Sequence, residues 1–327
     1  MAQRRWLGLA VQFLLLAGSL AAGWWLVTSW QGVADWWQLR NYTPSVAVVQ
    51  LADAASMVGR GRDMFYVSDP QIEGKDAFNK SCTSNASEHG SVLGCYSQRR
   101  IYIYDVNDPR LPGVKEVTAA HEMLHAAYER LDTATKNRID SLLQAELNKR
   151  SGDAELQEVL DIYRKTEPGE LLNEMHSILA TEYNDLSPEL NQYFSQYFTD
   201  RAKVVGLAQG YKGVFQASKA RIAGFKQQLE ALKNKIDANV AVLDKLKNTL
   251  DSENNRLAAL RASDPDRYNQ EVPGYNAKVD TYNRTARDTQ SLVNQYNAIV
   301  TKIDAEIAQQ TELNNSLDSK HQPLPTQ

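Results

Sequence analysis

Residues 121–125 read His-Glu-Met-Leu-His, and their types and spacing suit metal chemistry. On a helix, residues four apart lie on one face, so the imidazoles of His121 and His125 would converge on a single point. Two such nitrogens can bind zinc at about 2.0–2.1 Å, and Glu122 could take a proton from water on the ion. Only five histidines occur in the 327 residues, and three lie between 121 and 176, which argues against chance. The motif therefore predicts one zinc ion per chain, with Glu122 as general base.

A helix and a preceding strand are predicted to position this motif. Residues 115–130 have helical spacing, and at 99–106 the isoleucines alternate with tyrosines, as in a half-exposed strand. The aromatic and β-branched stretch RDMFYVSD predicts another strand. Helix-like spacing marks residues 46–59, 133–149, 154–165 and 169–185, and Ser187-Pro188 is typical of a further helix start.

The strand IYIYDV, the helix EVTAAHEMLHAAYERL and a later helix containing Glu174 resemble the zincin metallopeptidases, in particular the gluzincin type. The resemblance covers roughly residues 60–200 and implies an α+β fold within a domain at 45–210. It implies that His121 and His125 are zinc ligands, Glu122 is the base and a glutamate on the later helix is the third ligand. It also implies that the strand before the motif helix is an edge that binds an extended peptide substrate through Ile101, Tyr102, Ile103 and Tyr104.

The third ligand must be chosen within residues 169–186, which offer Glu170, Glu174, His176 and Glu182. We predict Glu174, because it lies in the middle of an apolar helix, where a buried carboxylate needs a partner. In many gluzincins an acidic residue four places after this glutamate supports a metal-binding histidine. Here that position is Ile178, so the supporting residue is not identified.

Two further residues could stabilise the oxyanion of a tetrahedral intermediate, namely His176 and Tyr183. A lone histidine on a helix is more often only packed or hydrogen-bonded, so for His176 both interpretations stand.

An uncharged apolar segment runs from Trp6 to Val27, and tryptophans cluster at its far end. Its length predicts a transmembrane helix at 6–28, followed by a membrane-proximal linker at 29–44. Arg4-Arg5 predict that residues 1–5 are cytoplasmic and that the body lies outside, as in a single-pass protein of the cell membrane. A cleaved signal peptide, with a site at Ser19-Leu20-Ala21, is the alternative.

The two cysteines of the chain, Cys82 and Cys95, lie in one polar loop. In an oxidising compartment this pair predicts a disulfide, and free or buried thiols are the alternative.

Two heptad patterns follow the domain. Every seventh residue from Ile222 to Leu257 is apolar, and the interleaved series from Phe225 to Leu260 is mostly so. The stretch at 262–274 contains prolines and glycine, and similar spacing resumes from Tyr275 to Ile307. These patterns predict an antiparallel coiled-coil hairpin at 211–318, formed within one chain or between copies, and a disordered tail at 319–327.

The formal net charge of −4 gives no sign of nucleic-acid binding. The first functional hypothesis is a membrane-anchored zinc peptidase that acts on peptides or proteins outside the cytoplasm. The alternative is a structural or adaptor protein of the cell envelope, in which the coiled coil binds a partner or another copy and the zinc is structural. A third possibility is an enzyme that the hairpin keeps latent.

Overall fold

Eleven helices and three short strands make up the residues that the computed structural model describes, 30–82, 92–166 and 168–319. The described chain is 78% helical, so the predicted α+β class is wrong. It divides into two compact units, one up to Lys212 and from Asn315 onward, the other Gly213–Asn314. The elements are α1 (30–41), α2 (Val46–Ala54), α3 (Arg60–Val67), β1 (Gln71–Glu73), α4 (Lys75–Ser81), β2 (Gly94–Ser97), β3 (Arg100–Tyr104), α5 (Val114–Glu129), α6 (Thr133–Lys149), α7 (Ala154–Thr166), α8 (Leu171–Glu182), α9 (Pro188–Phe194), α10 (Arg201–Ser263) and α11 (Pro265–Leu317).

The sheet has the order β1-β3-β2, with β1 parallel and β2 antiparallel to β3. The predicted alternation in β3 is confirmed, since Ile101 and Ile103 are fully buried and the two tyrosines are half-buried. The predicted position of this strand is wrong. β3 lies in the centre of the sheet, because Ile103 pairs with Ile72 on one side and Gly94 on the other. Among the described residues, the edge next to the motif helix is β2.

The motif helix α5 lies at the centre of the first unit. It packs against α2, α3 and α8 and against both β2 and β3. Twelve of its sixteen residues are buried, including Met123 and Leu124, which have no solvent exposure. A helix buried on so many sides holds its side chains in fixed directions, because close-packed neighbours leave few alternative rotamers.

Helix α3 replaces the strand predicted from RDMFYVSD. Gly61 and Phe65, four residues apart, are both buried on one helical face, so tertiary packing outweighs the β-propensity of the aromatic residues. A β-carbon at Gly61 would lie only 2.2 Å from the backbone oxygen of Tyr197. Glycine therefore allows an approach to the backbone that no other residue permits.

We expect Gly61→Ala to lower the free energy of unfolding by about 1–3 kcal/mol, because the Tyr197 backbone must move. Gly210→Ala is the matched control. Gly210 lies within α10, and apart from its chain neighbours and the backbone of its own helix no atom of the described residues lies within 4 Å of its missing β-carbon, so alanine there should stabilise the protein by up to about 1 kcal/mol. Denaturant unfolding of both variants measures the difference, and equal effects would contradict the packing argument.

The helices predicted after the motif are confirmed as α6, α7 and α8, with ends that differ by a few residues. Side chains cap two of the helix starts. Asp132 accepts a hydrogen bond from the Thr135 N–H, and Ser187 accepts one from the Leu190 N–H ahead of α9. These local contacts explain why helix starts could be predicted from sequence.

The helix predicted to span a membrane, at residues 6–28, lies outside the described residues. Within residues 30–82, 92–166 and 168–319, no helix is both long and apolar enough to cross a membrane. The two longest helices, α10 and α11, carry charged residues along their whole length. The prediction of a single-pass protein of the cell membrane therefore has no support in the structure, and we withdraw it.

Much of the predicted linker at 29–44 forms helix α1. Asp35 on α1 pairs with Arg99 at 2.6 Å and with Arg130 at 2.8 Å. Arg130 is the C-cap residue of α5, so α1 is tied to the end of the motif helix.

The predicted disulfide is confirmed. Cys82 follows α4 and Cys95 lies in β2, and their Cα atoms are 6.0 Å apart. In the chain-entropy model, closing a loop of this length stabilises the fold by about 3 kcal/mol. The bond connects α4 to the edge strand.

The second unit is a helical hairpin within one chain. In the first arm, all residues of both predicted heptad series are partly or fully buried, and in the second arm only Ile307 is more than a third exposed. Glu306 accepts hydrogen bonds from Ser218 and Arg221 on the opposite arm, at 2.8 and 2.6 Å. Pairing with another copy remains a prediction.

The break between the arms is shorter than predicted. Helix α10 ends at Ser263 and α11 begins at Pro265, whose missing N–H costs nothing in the first turn of a helix. Asp264 accepts a hydrogen bond from the Arg267 N–H. Pro273 is exposed inside α11, where water can satisfy the backbone carbonyl that loses its partner.

Candidate metal centre

Three side chains converge between α5 and α8. The Nε2 atoms of His121 and His125 are 3.0 Å apart. One carboxylate oxygen of Glu174 lies 3.5 Å from His121 Nε2, and the other lies 3.4 Å from His125 Nε2. These side chains form a group that could hold a metal ion, as predicted.

The spacing of the donor atoms matches one ion. In tetrahedral coordination with bonds of about 2.0–2.1 Å, ligand atoms lie about 3.3 Å from one another. The observed separations of 3.0, 3.4 and 3.5 Å bracket that value, with each histidine facing a different oxygen of the Glu174 carboxylate. A small movement of the side chains would therefore complete the geometry.

The protonation states also suit a metal. Burial lowers the pKa of the His125 imidazole, although the nearby Glu174 carboxylate opposes this effect. Burial acts to raise the pKa of Glu174, but the attraction of His125 and a hydrogen bond from His121 outweigh it and lower the pKa to about 2. At neutral pH His125 therefore offers a free lone pair and Glu174 a negative charge.

Glu122 is buried and lines the same pocket as His121 and Glu174. The edge strand β2 passes directly over it. A β-carbon at Gly94 would lie 2.7 Å from Glu122 Oε1 and 2.5 Å from Thr118 Cγ2. Only glycine fits at this position without displacing the carboxylate. Sequence reasoning missed Gly94, and the pairing of β2 that places it there is not visible in the local sequence.

The pocket has a volume of about 240 Å³. Its walls are largely apolar and include side chains from α5, α7, α8 and α10, namely Val117, Val159, Ile162, Ile178 and Tyr211. Tyr163 of α7 also lines the pocket, and its hydrogen bond with Glu174 helps to lower the pKa of that carboxyl. Apolar walls with a few convergent polar groups are typical of a ligand site.

Asn173 supplies the support that sequence reasoning sought at Ile178. Its Oδ1 lies 3.0 Å from Nδ1 of His125, and its Nδ2 donates to Glu170 Oε2 at 3.0 Å. Metal-binding histidines usually bond a second group in this way, which fixes the ring orientation. In the sequence, the sign of this supporting role is that Asn173 directly precedes the predicted ligand Glu174. Ile178 instead lines the pocket.

The other candidate residues lie elsewhere. His176 is fully buried, bonds the Tyr193 hydroxyl through Nε2 at 3.0 Å, and has its pKa lowered to about 3 by burial and the two nearby histidines. The Tyr183 hydroxyl donates to Asp153 at 3.0 Å. Neither side chain lines the pocket. Two glutamates were alternative third ligands. Glu182 lines the pocket but is not in the metal-binding group, and Glu170 accepts a hydrogen bond from Asn173.

The predicted substrate-binding residues Ile101, Tyr102, Ile103 and Tyr104 lie in the central strand, away from the lining of the pocket. The strand that reaches the pocket is β2, with Leu93 and Gly94 among the lining residues.

Comparison of the chain with protein-family models, curated proteins and solved structures finds no match. Fold and site together define a mainly helical protein with a small sheet, a disulfide and a His-His-Glu group that could bind a metal.

Proposed function

We propose that the chain is a zinc-dependent peptidase. The observation that carries this proposal is the convergence of His121, His125 and Glu174 beside a pocket whose lining includes His121, Glu174 and Glu122. Two imidazole nitrogens and a carboxylate within 3.5 Å of one another favour zinc, which accepts both ligand types.

A glutamate that lines the same pocket but lies outside the three-residue metal-binding group supports a catalytic role over a structural one. Structural zinc sites usually close with four protein ligands. Among the described residues, the metal-binding group contains three, and Glu122 is not one of them. Three ligands leave a coordination position for water or substrate, which a peptidase requires.

Each residue then has a separate task. A bound zinc ion would supply Lewis-acid polarisation of the scissile carbonyl and of a water molecule. Glu122 takes the proton from the attacking water and returns it to the leaving amine. Tyr163 lines the pocket and its hydrogen bond with Glu174 helps to hold that carboxylate in place as a ligand.

The substrate would bind as an additional strand along β2, in place of the predicted binding along β3. The backbone of β3 is paired on both sides, whereas β2 forms an edge of the sheet among the described residues. Leu93 and Gly94 would bring the peptide backbone past Glu122, and the apolar walls of the pocket would receive a side chain of the substrate.

We expect the zinc-loaded chain to cleave members of a denatured-protein or peptide library, because the pocket combines ligands and a base. Chelation should abolish cleavage and added zinc should restore it, as followed by mass spectrometry. Cleavage that persists after full removal of metal would contradict the proposal. A zinc-loaded chain that cuts nothing would instead favour a structural metal in an adaptor protein.

A further inference from the structure

We propose that Glu170 is a positioning residue, which sets the orientation of the Asn173 amide and thereby holds His125 in the tautomer that can bind a metal. This inference deepens the proposed function. It rests on that function only in requiring that His121, His125 and Glu174 bind a metal. Glu170 is exposed at the start of α8 and is not in the metal-binding group.

The orientation of the amide follows from the chemistry of its two neighbours. A carboxylate can only accept hydrogen bonds, so the Asn173 group 3.0 Å from Glu170 Oε2 must be the NH₂ group. The amide oxygen then faces His125 Nδ1, also at 3.0 Å. Since that oxygen can only accept, Nδ1 carries the hydrogen.

The consequence for the metal is direct. A neutral imidazole with its hydrogen on Nδ1 has a free lone pair on Nε2. Nε2 of His125 is the atom that faces His121 and Glu174. If the Asn173 amide turned by 180°, its NH₂ group would donate to Nδ1. The hydrogen would then move to Nε2, and that tautomer cannot bind a metal through Nε2.

Charge reversal at residue 170 tests the proposal. In Glu170→Lys the new side chain donates, which favours the inverted amide, and we expect zinc affinity to fall about 10- to 100-fold. In Glu170→Gln the side-chain oxygen can still accept from Asn173, so the affinity should change by less than about threefold. The dissociation constant is measured on the full chain by competition with a chromophoric chelator, without any substrate. The result is therefore independent of whether the chain cleaves peptides.

Two controls separate orientation from simple electrostatics. Glu189→Lys makes the same charge change at an exposed position in the first turn of α9, and it should leave zinc affinity within about threefold. In an Asn173→Ala background the amide is absent, so Glu170→Lys should have little further effect.

Any of three results would overturn the proposal. Glu170→Lys could lower zinc affinity as much in the Asn173→Ala background as in the wild type, or no more than Glu189→Lys does. Glu170→Gln could also lower zinc affinity as much as Glu170→Lys. Nitrogen-15 NMR of the metal-free chain gives a second readout. His125 should carry its hydrogen on Nδ1 in the wild type and on Nε2 in Glu170→Lys.

Discussion

Glu122→Gln should leave one zinc ion bound per chain and lower peptide cleavage by about 10²–10⁴-fold, which is the usual contribution of a general base. Glutamine has nearly the same shape, so it fits beneath β2 beside Gly94 and Thr118. It cannot take a proton from water. Because Glu122 is outside the metal-binding group, zinc content should not change. Metal analysis and library cleavage on the same samples measure both quantities.

The matched control for this variant is Glu182→Gln, which alters another glutamate in the lining of the same pocket. Glu182 forms an ion pair with Lys212 at 2.5 Å and is not in the metal-binding group, so its variant should retain cleavage. A Glu122→Gln protein that cleaves as well as the wild type would show that Glu122 is not the base. If that variant lost zinc, Glu122 would instead be a ligand.

Glu174→Ala should abolish the stabilisation that zinc gives to the fold. Zinc that binds only the folded chain raises the free energy of unfolding by about 2.7 kcal/mol when free zinc is 100 times its dissociation constant. Glu174 contacts both histidines and joins α8 to α5, so its loss removes one of three ligands. Denaturant unfolding with and without zinc separates the stabilisation by zinc from any effect of the substitution on the metal-free fold.

Glu182→Ala is the comparison for this prediction, because Glu182 was an alternative third ligand and lies on the same helix. In the Glu182→Ala variant, zinc should raise the free energy of unfolding as much as it does in the wild type. The opposite pattern, with Glu182→Ala insensitive to zinc and Glu174→Ala stabilised, would move the ligand to Glu182 and refute the assignment from geometry.

Elements whose stability rests on near neighbours in the chain were predicted well. The cap at Ser187, the helical face that joins His121 to His125 and the heptad seams of the hairpin all depend on residues within a few positions of each other. Glu174 was also predicted, because a carboxylate in an apolar helix needs a partner, and the two histidines provide it.

The fold class and the identity of the edge strand were predicted wrongly, for a shared physical reason. Most of residues 62–69 lie in helix α3, whose Gly61 packs against the backbone of Tyr197, far away in the sequence. The alternation in β3 shows which side chains are buried, but a period of two is the same for a central and an edge strand. Pairing partners are therefore not encoded locally.

The sequence by itself determined which donor atoms could share a point, since His121 and His125 are four residues apart on one helix and Glu174 is a carboxylate in an apolar helix that needs a partner. It also determined the disulfide pair and the hairpin. Only the tertiary structure decided what surrounds those donor atoms. It placed Gly94 over Glu122, Asn173 behind His125 and Tyr163 against Glu174, and it kept His176 and Tyr183 out of the pocket. Such contacts arise from packing between elements distant in the chain, which the spacing of residues along it does not specify.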